Sequence, residues 1–208
     1  ESIEKVYLNK DQKEALIQIK NGFKKKNVCL LHGVTSSGKT EIYIKLIEDY
    51  IKEKKQILFL VPEIALTTQL VGRVKKYFGD LLSVYHSKYS VDHRTEIWKK
   101  VLNNDKKSRV ILGARSSIFL PFSNLGLIII DEEHENAYKQ YNTAPRYHAR
   151  DSAIYLSSIH NVKTLLGSAT PSIESYYNAI SSKYALIEIK KRFGNFKFPE
   201  IIIQDLRT

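Results

Sequence analysis

"LLHGVTSSGKTEIY", residues 30–43, decides how this chain is read. An apolar run from Val28 to Leu31 ends in a glycine turn. There Gly33-Val34-Thr35-Ser36-Ser37-Gly38-Lys39-Thr40 fits the phosphate-loop pattern G-x-x-x-x-G-K-[ST]. Each residue type has a physical task. Glycines let backbone N–H groups converge on an anion, and the helix that follows points its positive end at the same charge. Lys39 can reach β- and γ-phosphates, and the Thr40 hydroxyl can ligate Mg²⁺. The pattern sits after a strand candidate and before a helix candidate, the setting a phosphate loop needs.

A triphosphate with its metal also needs a carboxylate at the end of a neighbouring strand. "GLIIIDEEHENAYKQ", residues 126–140, supplies one. Four apolar residues run into Asp131, Glu132 and Glu133. Adjacent carboxylates repel and are costly to desolvate unless a cation compensates them. Asp131 is the expected Mg²⁺ ligand and Glu132 the base that polarises the attacking water. Glu133 is expected to face solvent. Read by itself, the segment also suits an acidic helix N-terminus favoured by the helix dipole.

Working outward, apolar runs alternate with amphipathic stretches. Residues 28–32, 57–61, 81–85, 110–112, 127–130 and 164–166 read as strands: short, rich in branched side chains and apolar on both faces. Residues 11–20, 40–52, 66–78, 92–103, 150–158 and 173–181 read as helices, with Trp98 on a core face. Such alternation predicts an α/β fold, a mostly parallel central sheet with helices on both faces. Residues 1–183 are expected to form one nucleotide-binding lobe. Residues 184–208, with β-like pieces around a basic turn, read as an edge strand and the start of a connection elsewhere.

Bulk properties narrow the class. The 208 residues suffice for one large domain. The formal charge of +11 favours a polyanionic partner, although short lysine runs also suit a solvated surface. Cys29 is the only cysteine; this excludes an internal disulfide and a Cys-rich zinc site, and mid-strand it reads as a small buried hydrophobe. Apolar runs of about five residues fall far short of a membrane span, and no signal peptide is visible, so a cytoplasmic protein without a membrane partner is expected. The chain contains no methionine and starts at Glu1, as expected of a piece of something longer. His86, His93 and His160 show no metal-ligand spacing.

The phosphate loop, then "DEEH" (131–134), then Gly167-Ser168-Ala169-Thr170, in that order and spacing, resembles a superfamily 2 helicase of the DExH type. "GVTSSGKTEIY", "VPEIALTTQL", "GARSSIFLPF", "DEEHENAYKQYNTAPRYHARD" and "LGSATPSIES" together resemble the primosomal protein N′ family of replication-restart helicases, from Leu8 to about Arg207. The resemblance implies a RecA-like motor lobe that uses ATP and Mg²⁺ for 3′→5′ unwinding. It implies single-stranded and forked DNA, with primosome and replication-restart proteins, as partners. The family's DNA-binding module, zinc-binding insertion and second motor lobe with its arginine finger have no counterpart here. Zinc is therefore expected only in the parent protein, outside this chain.

The resemblance assigns further roles. Gln12 is similar to the glutamine with which helicases read adenine, against a simpler reading in which Asn9 and Gln12 form a capping box. Thr67, Arg115 and Ser116 are implied as contacts to DNA phosphates. Tyr138, Lys139, Tyr141, Arg146, Tyr147 and His148 form an aromatic-rich loop, implied to stack on bases and couple DNA to the ATP site; a merely packed surface loop is the simpler alternative. His134 is implied to couple by hydrogen-bonding toward Ser168 and Thr170. Rival readings are another DExH translocase acting on RNA or Holliday junctions, a phosphate-loop kinase, and a non-catalytic binding module. The "PRYHARD" stretch argues against the first, and a kinase has no need of "SAT".

Overall fold

The computed structural model describes residues 5–193. Helix α1 (Lys10–Lys25) opens the chain, followed by β1 (Val28–Gly33), α2 (Lys39–Lys52), β2 (Gln56–Leu60), α3 (Thr68–Phe78) and β3 (Leu82–Tyr85). Then come α4 (Val91–Leu102), β4 (Val110–Gly113), β5 (Leu125–Asp131), α5 (Ala149–His160), β6 (Lys163–Ser168), α6 (Ile173–Ile180) and β7 (Ala185–Ile189). The strands form one sheet in the order β3-β4-β2-β5-β6-β1-β7, every pairing parallel. β7 pairs with β1 at the edge, so the sheet continues past residue 184. The expected second β-like piece of the tail lies outside the described residues.

The alternation of strand side chains explains the layers. Cys29, Leu31, Ile57, Phe59, Leu127 and Ile129 face α1, α2 and α3. Val28, Leu30, Leu58, Leu60, Ile128 and Ile130 face α4, α5 and α6. Central strands buried on both faces therefore read as continuous apolar runs. Helix α1 runs five residues beyond its expected end because Phe23 extends the buried stripe of Ala15 and Ile19. In α4 the core face belongs to Ile97 and Val101, whereas Trp98 is 43% exposed, contrary to its expected place. Cys29 is fully buried, and burial pushes its thiol up to about 12, as an inert core thiol should be.

Because every strand runs the same way, all their C-terminal ends share one edge, where ligands of open α/β sheets bind. β1 delivers the phosphate loop to that edge. β5 delivers Asp131 two strands away, and β6 between them delivers Gly167 and Ser168.

Candidate nucleotide site and its coupling residues

Residues 33–40 turn from β1 into α2 around an open hollow. Gly38 has φ 80°, a left-handed conformation that glycine adopts without strain. A side chain there would also strike Gln12 Nε2, 2.1 Å from where a Cβ would lie. Lys39 is buried, its Nζ donating to the Gly33 carbonyl at 3.1 Å and standing 4.0 Å from Glu132 Oε1. The Ser37 hydroxyl is buried without a partner, while Thr35 and Ser36 are exposed at the rim. A cavity of about 370 Å³, of the size ligand pockets take, lies between this loop, Arg73, Asp131, Glu132 and Phe193.

Gln12 serves the loop in a different way from the one its resemblance suggests. Its amide N–H and side-chain oxygen complete a capping box with Asn9, each bond 2.8 Å. Nε2 donates to the Gly38 carbonyl at 3.1 Å. The side chain is fully buried and each end of its amide already holds a protein partner, which favours an anchoring role over bidentate pairing with adenine. Gln12 anchors the loop's last glycine.

The three adjacent acids have three separate partners. Asp131 Oδ1 accepts from the Tyr43 hydroxyl at 2.9 Å and from the Glu132 amide at 3.1 Å. Burial and the neighbouring Glu132 carboxylate push Asp131 up to about 6, against the Tyr43 hydrogen bond and the charge of Lys39, which pull it down. A cation at this carboxylate would remove that penalty. Glu132 faces Lys39 and the cavity, and its φ of 47° is left-handed, costing about 1 kcal/mol or more. Glu133 does not face solvent. It is fully buried and paired with Arg150 at 3.0 Å, and it also accepts from the Ser172 amide, the Ser172 hydroxyl and the Ser175 hydroxyl. Burial alone would lower the Arg150 guanidinium, but the Asp151 and Glu133 carboxylates outweigh it and hold the group up. His134 bridges to β6 as expected: Nδ1 lies 2.8 Å from Ser168 Oγ and Nε2 3.4 Å from Thr170 Oγ1. The Thr170 amide donates back to Ser168 Oγ.

These residues fit a triphosphate and its metal. The orphaned Ser37 hydroxyl, the partly desolvated Asp131 and a lysine resting on a carbonyl are the donors and acceptors such a ligand would use. Among the described residues no three His, Cys, Asp or Glu side chains cluster as a protein-only metal cage. A site of Thr40 and Asp131 completed by phosphate oxygens and water is the arrangement Mg²⁺ favours.

Comparison with known proteins agrees with the geometry. The family described as DEAD/DEAH box helicase matches residues 9–179. The chain belongs to that family. Its curated relatives include the replication restart protein PriA of Bacillus subtilis, 48% identical over 86% of this chain and 22% of the relative. PriA of Haemophilus influenzae is 45% identical over 97% of this chain and 27% of the relative. The chain thus spans about a quarter of the length of these relatives. Among solved structures, RecG bound to a three-way DNA junction has a TM-score of 0.66 at 25% identity, over 93% of this chain and 25% of that one. The helicase MrfA bound to DNA shares the fold with a TM-score of 0.62, at 17% identity over 88% of this chain and 27% of that one. The sheet is that of a RecA-like helicase lobe.

In this helicase lobe the residues expected to meet DNA divide into exposed and tethering groups. Thr67 is exposed at the N-cap of α3, its hydroxyl accepting from the Leu70 amide at 3.2 Å. Ser116 is partly exposed in the turn after β4. Arg115 is a tether: Nη1 donates to the Ala137 and Lys139 carbonyls at 3.2 and 3.0 Å. Tyr138 cannot stack on bases, because it is fully buried and its hydroxyl donates to the Asp131 carbonyl at 2.6 Å. Lys139 and His148 close the base of the loop as an antiparallel bridge, with Lys139 Nζ 3.5 Å from the Arg146 carbonyl. Tyr141 and Arg146 are exposed at the tip. Tyr147 packs edge-on against the exposed Phe119, ring centres 4.7 Å apart.

Four contributors escaped the sequence reading: Tyr43, Arg73, Arg150 and Phe193. Tyr43 lies on the buried stripe of α2 and looks like core until its hydroxyl is traced 88 residues along the chain to Asp131. Arg73 pairs with Glu41 beside the cavity. The Phe193 amide donates to the Ser36 carbonyl at 2.8 Å, bringing the end of the described chain to the phosphate loop. No local pattern signals these approaches.

Proposed function

We propose that this chain is the ATP-binding motor lobe of a 3′→5′ DNA helicase acting in replication restart and primosome assembly. One observation carries the reading most: Lys39 of the phosphate loop and Glu132 of the acid segment, 93 residues apart by number, stand 4.0 Å apart in the wall of one cavity that Asp131 also lines. The PriA relatives supply the biological setting, and DNA-bound RecG supports a DNA partner.

ATP would lie on the loop of residues 33–40, with Gly33, Thr35, Gly38, Lys39 and Thr40 around its phosphates. Thr40 and Asp131 would hold Mg²⁺, which would neutralise charge developing on the phosphates. Glu132 orients and deprotonates the attacking water. Lys39 leaves the Gly33 carbonyl for the γ-phosphate. His134 joins Glu132 to Ser168 and Thr170, so movement of that turn reaches the base. Thr67, Ser116, Lys139, Arg146 and Tyr147 face DNA, and Arg115 holds the loop that carries three of them. Contacts of this kind give affinity without sequence preference.

Edge strand β7 would open the connection toward a second lobe, where the parent would supply the arginine finger. The isolated chain therefore turns over ATP weakly or not at all. The parent's zinc module lies elsewhere, and the protein works in the cytoplasm with single-stranded and forked DNA and with replication-restart proteins. The test is ATP hydrolysis by the full-length protein with and without single-stranded DNA. DNA stimulation that disappears in Lys39→Ala supports the reading, and hydrolysis indifferent to both overturns it. Unwinding of partial duplexes with 3′ or 5′ tails settles direction: unwinding from a 5′ tail alone refutes the assigned polarity.

A further inference from the structure

Glu132 is strained yet held, and its neighbours explain how. A non-glycine residue in the left-handed region persists only where its surroundings over-determine it. On one side Asp131 is fixed by its pairing with Gly167 and by the Tyr138 hydroxyl on its carbonyl. On the other side the Glu133 amide donates to the Gly167 carbonyl at 3.1 Å. The Glu133 carboxylate then enters a buried pocket. Oε1 accepts from the Ser172 amide at 2.7 Å, and Oε2 accepts from Arg150 Nη1 at 3.0 Å and the Ser175 hydroxyl at 2.8 Å. Arg150 also donates to the Ser172 hydroxyl at 2.6 Å, which closes the network.

The partners come from informative places. Arg150 stands at the start of α5, directly after the aromatic loop. Ser172 caps α6, two residues past Thr170. The loop therefore has two feet beside Glu132: Tyr138 on Asp131 at its start and Arg150 on Glu133 at its end. The turn after β6 shares the second foot. A buried ion pair that served stability alone could be replaced by apolar residues at little cost. This one joins three segments at the residue next to the base.

Resting on the reading of Glu132 as the base, we propose that Glu133 is a positioning residue, whose buried carboxylate fixes the Glu132 backbone and links it to the aromatic loop and to the turn at residues 168–170. Glu133 touches no substrate atom. It acts by holding Glu132 and by receiving displacement of Arg150 and Ser172.

The experiment uses the full-length protein, with steady-state ATP hydrolysis in saturating single-stranded DNA and thermal unfolding of each variant. Glu133→Gln keeps the side chain's shape and removes its charge. It should lower kcat about 10- to 100-fold, as loss of a supporting partner does, while KM for ATP stays within about twofold because the phosphate loop is untouched. Adding Arg150→Met removes the guanidinium that has lost its buried carboxylate partner and keeps only Asp151 as a counter-charge. The melting temperature should recover in the double variant and kcat should not. Ser175→Ala, which removes one hydrogen bond and keeps the ion pair, should lower kcat in the same sense by a smaller factor, and it serves if Glu133→Gln fails to fold. A kcat within about twofold of the parent in Glu133→Gln, or unchanged in Ser175→Ala, overturns the proposal. So does recovery of kcat together with melting temperature in the double variant, because that is the behaviour of a purely structural pair. Glu132→Gln in the same assay separates the two readings. If it abolishes turnover while Glu133→Gln leaves kcat within about twofold of the parent, positioning alone fails; if it turns over normally, the assignment of the base fails, and positioning with it.

Discussion

Replacing Tyr43 by Phe removes one oxygen from a fully buried side chain and leaves its edge-on packing against Phe59 in place. What is lost is the hydroxyl's hydrogen bond to Asp131 Oδ1. A hydrogen bond to a charged group contributes roughly 1.5–3 kcal/mol. Phenylalanine avoids the cost of desolvating a hydroxyl, so the lower end is expected. In a chain of this size that corresponds to a fall of about 3–6 °C in melting temperature, taking roughly 2–4 °C per kcal/mol. The deficit must depend on pH. With Asp131 at about 6 in the folded protein, against ~3.9 unfolded, the folded state holds a proton that the unfolded chain has released. Stability from this group is thus present in full below about pH 4 and lost as pH rises through 6. Losing the Tyr43 donor raises Asp131 further and adds to the loss on the alkaline side. Near pH 5 the bond is to a neutral carboxyl and is worth about half as much. Thermal unfolding of the 208-residue chain in EDTA, followed by circular dichroism, should show a deficit at pH 7.5 about twice that at pH 5.0. Equal melting temperatures for both proteins at both pH values would refute this view of Asp131.

Gly167→Ala should destabilise the chain by roughly 1–3 kcal/mol, because a Cβ there would lie 1.8 Å from the Tyr43 hydroxyl; in the Tyr43→Phe background the penalty should shrink, and a double-mutant cycle by chemical denaturation measures the coupling. Gln12→Ala should cost about 1 kcal/mol for the capping box and also weaken binding of a fluorescent ATP analogue through the lost tie to Gly38. Equal analogue affinity would show that the tie does not order the loop. Arg146→Ala in the full-length protein should bring ATP hydrolysis in the presence of single-stranded DNA down toward the DNA-free rate, and unchanged stimulation would remove Arg146 from the DNA-facing set.

The α/β class and the order of elements were legible because parallel strands covered on both faces leave unbroken apolar runs such as residues 127–130, and because a phosphate loop punctuates its strand and helix with glycines. The site's two halves were legible because a triphosphate and its metal restrict which residue types can serve. The environment of Glu133 was not. Its partners lie 17, 39 and 42 residues away, and nothing near "DEEH" announces them. Tyr138 misled for the opposite reason: an aromatic next to an exposed loop reads as part of it, yet a single turn of 3-10 helix at Asn136–Tyr138 swings the ring under Asp131. Gln12 had two readings in the local sequence, and its capping box, its burial and the approach of Gly38 together favour the anchoring one. Trp98 shows the limit of helical periodicity: Ile97 and Val101 already fill the stripe facing the sheet, which leaves the neighbouring indole outside.

The proposed motor lobe holds one metal–triphosphate between the turn at residues 33–40 and the carboxylates of Asp131 and Glu132. A crystal structure of the chain with Mn²⁺ and a non-hydrolysable ATP analogue would show this, the ion being located by its anomalous signal. The ion should lie about 2 Å from Thr40 Oγ1, with Asp131 bound to it directly or through water and Lys39 Nζ moved from the Gly33 carbonyl onto the γ-phosphate. An ion or triphosphate bound elsewhere, with Lys39 still resting on Gly33, would contradict the motor reading.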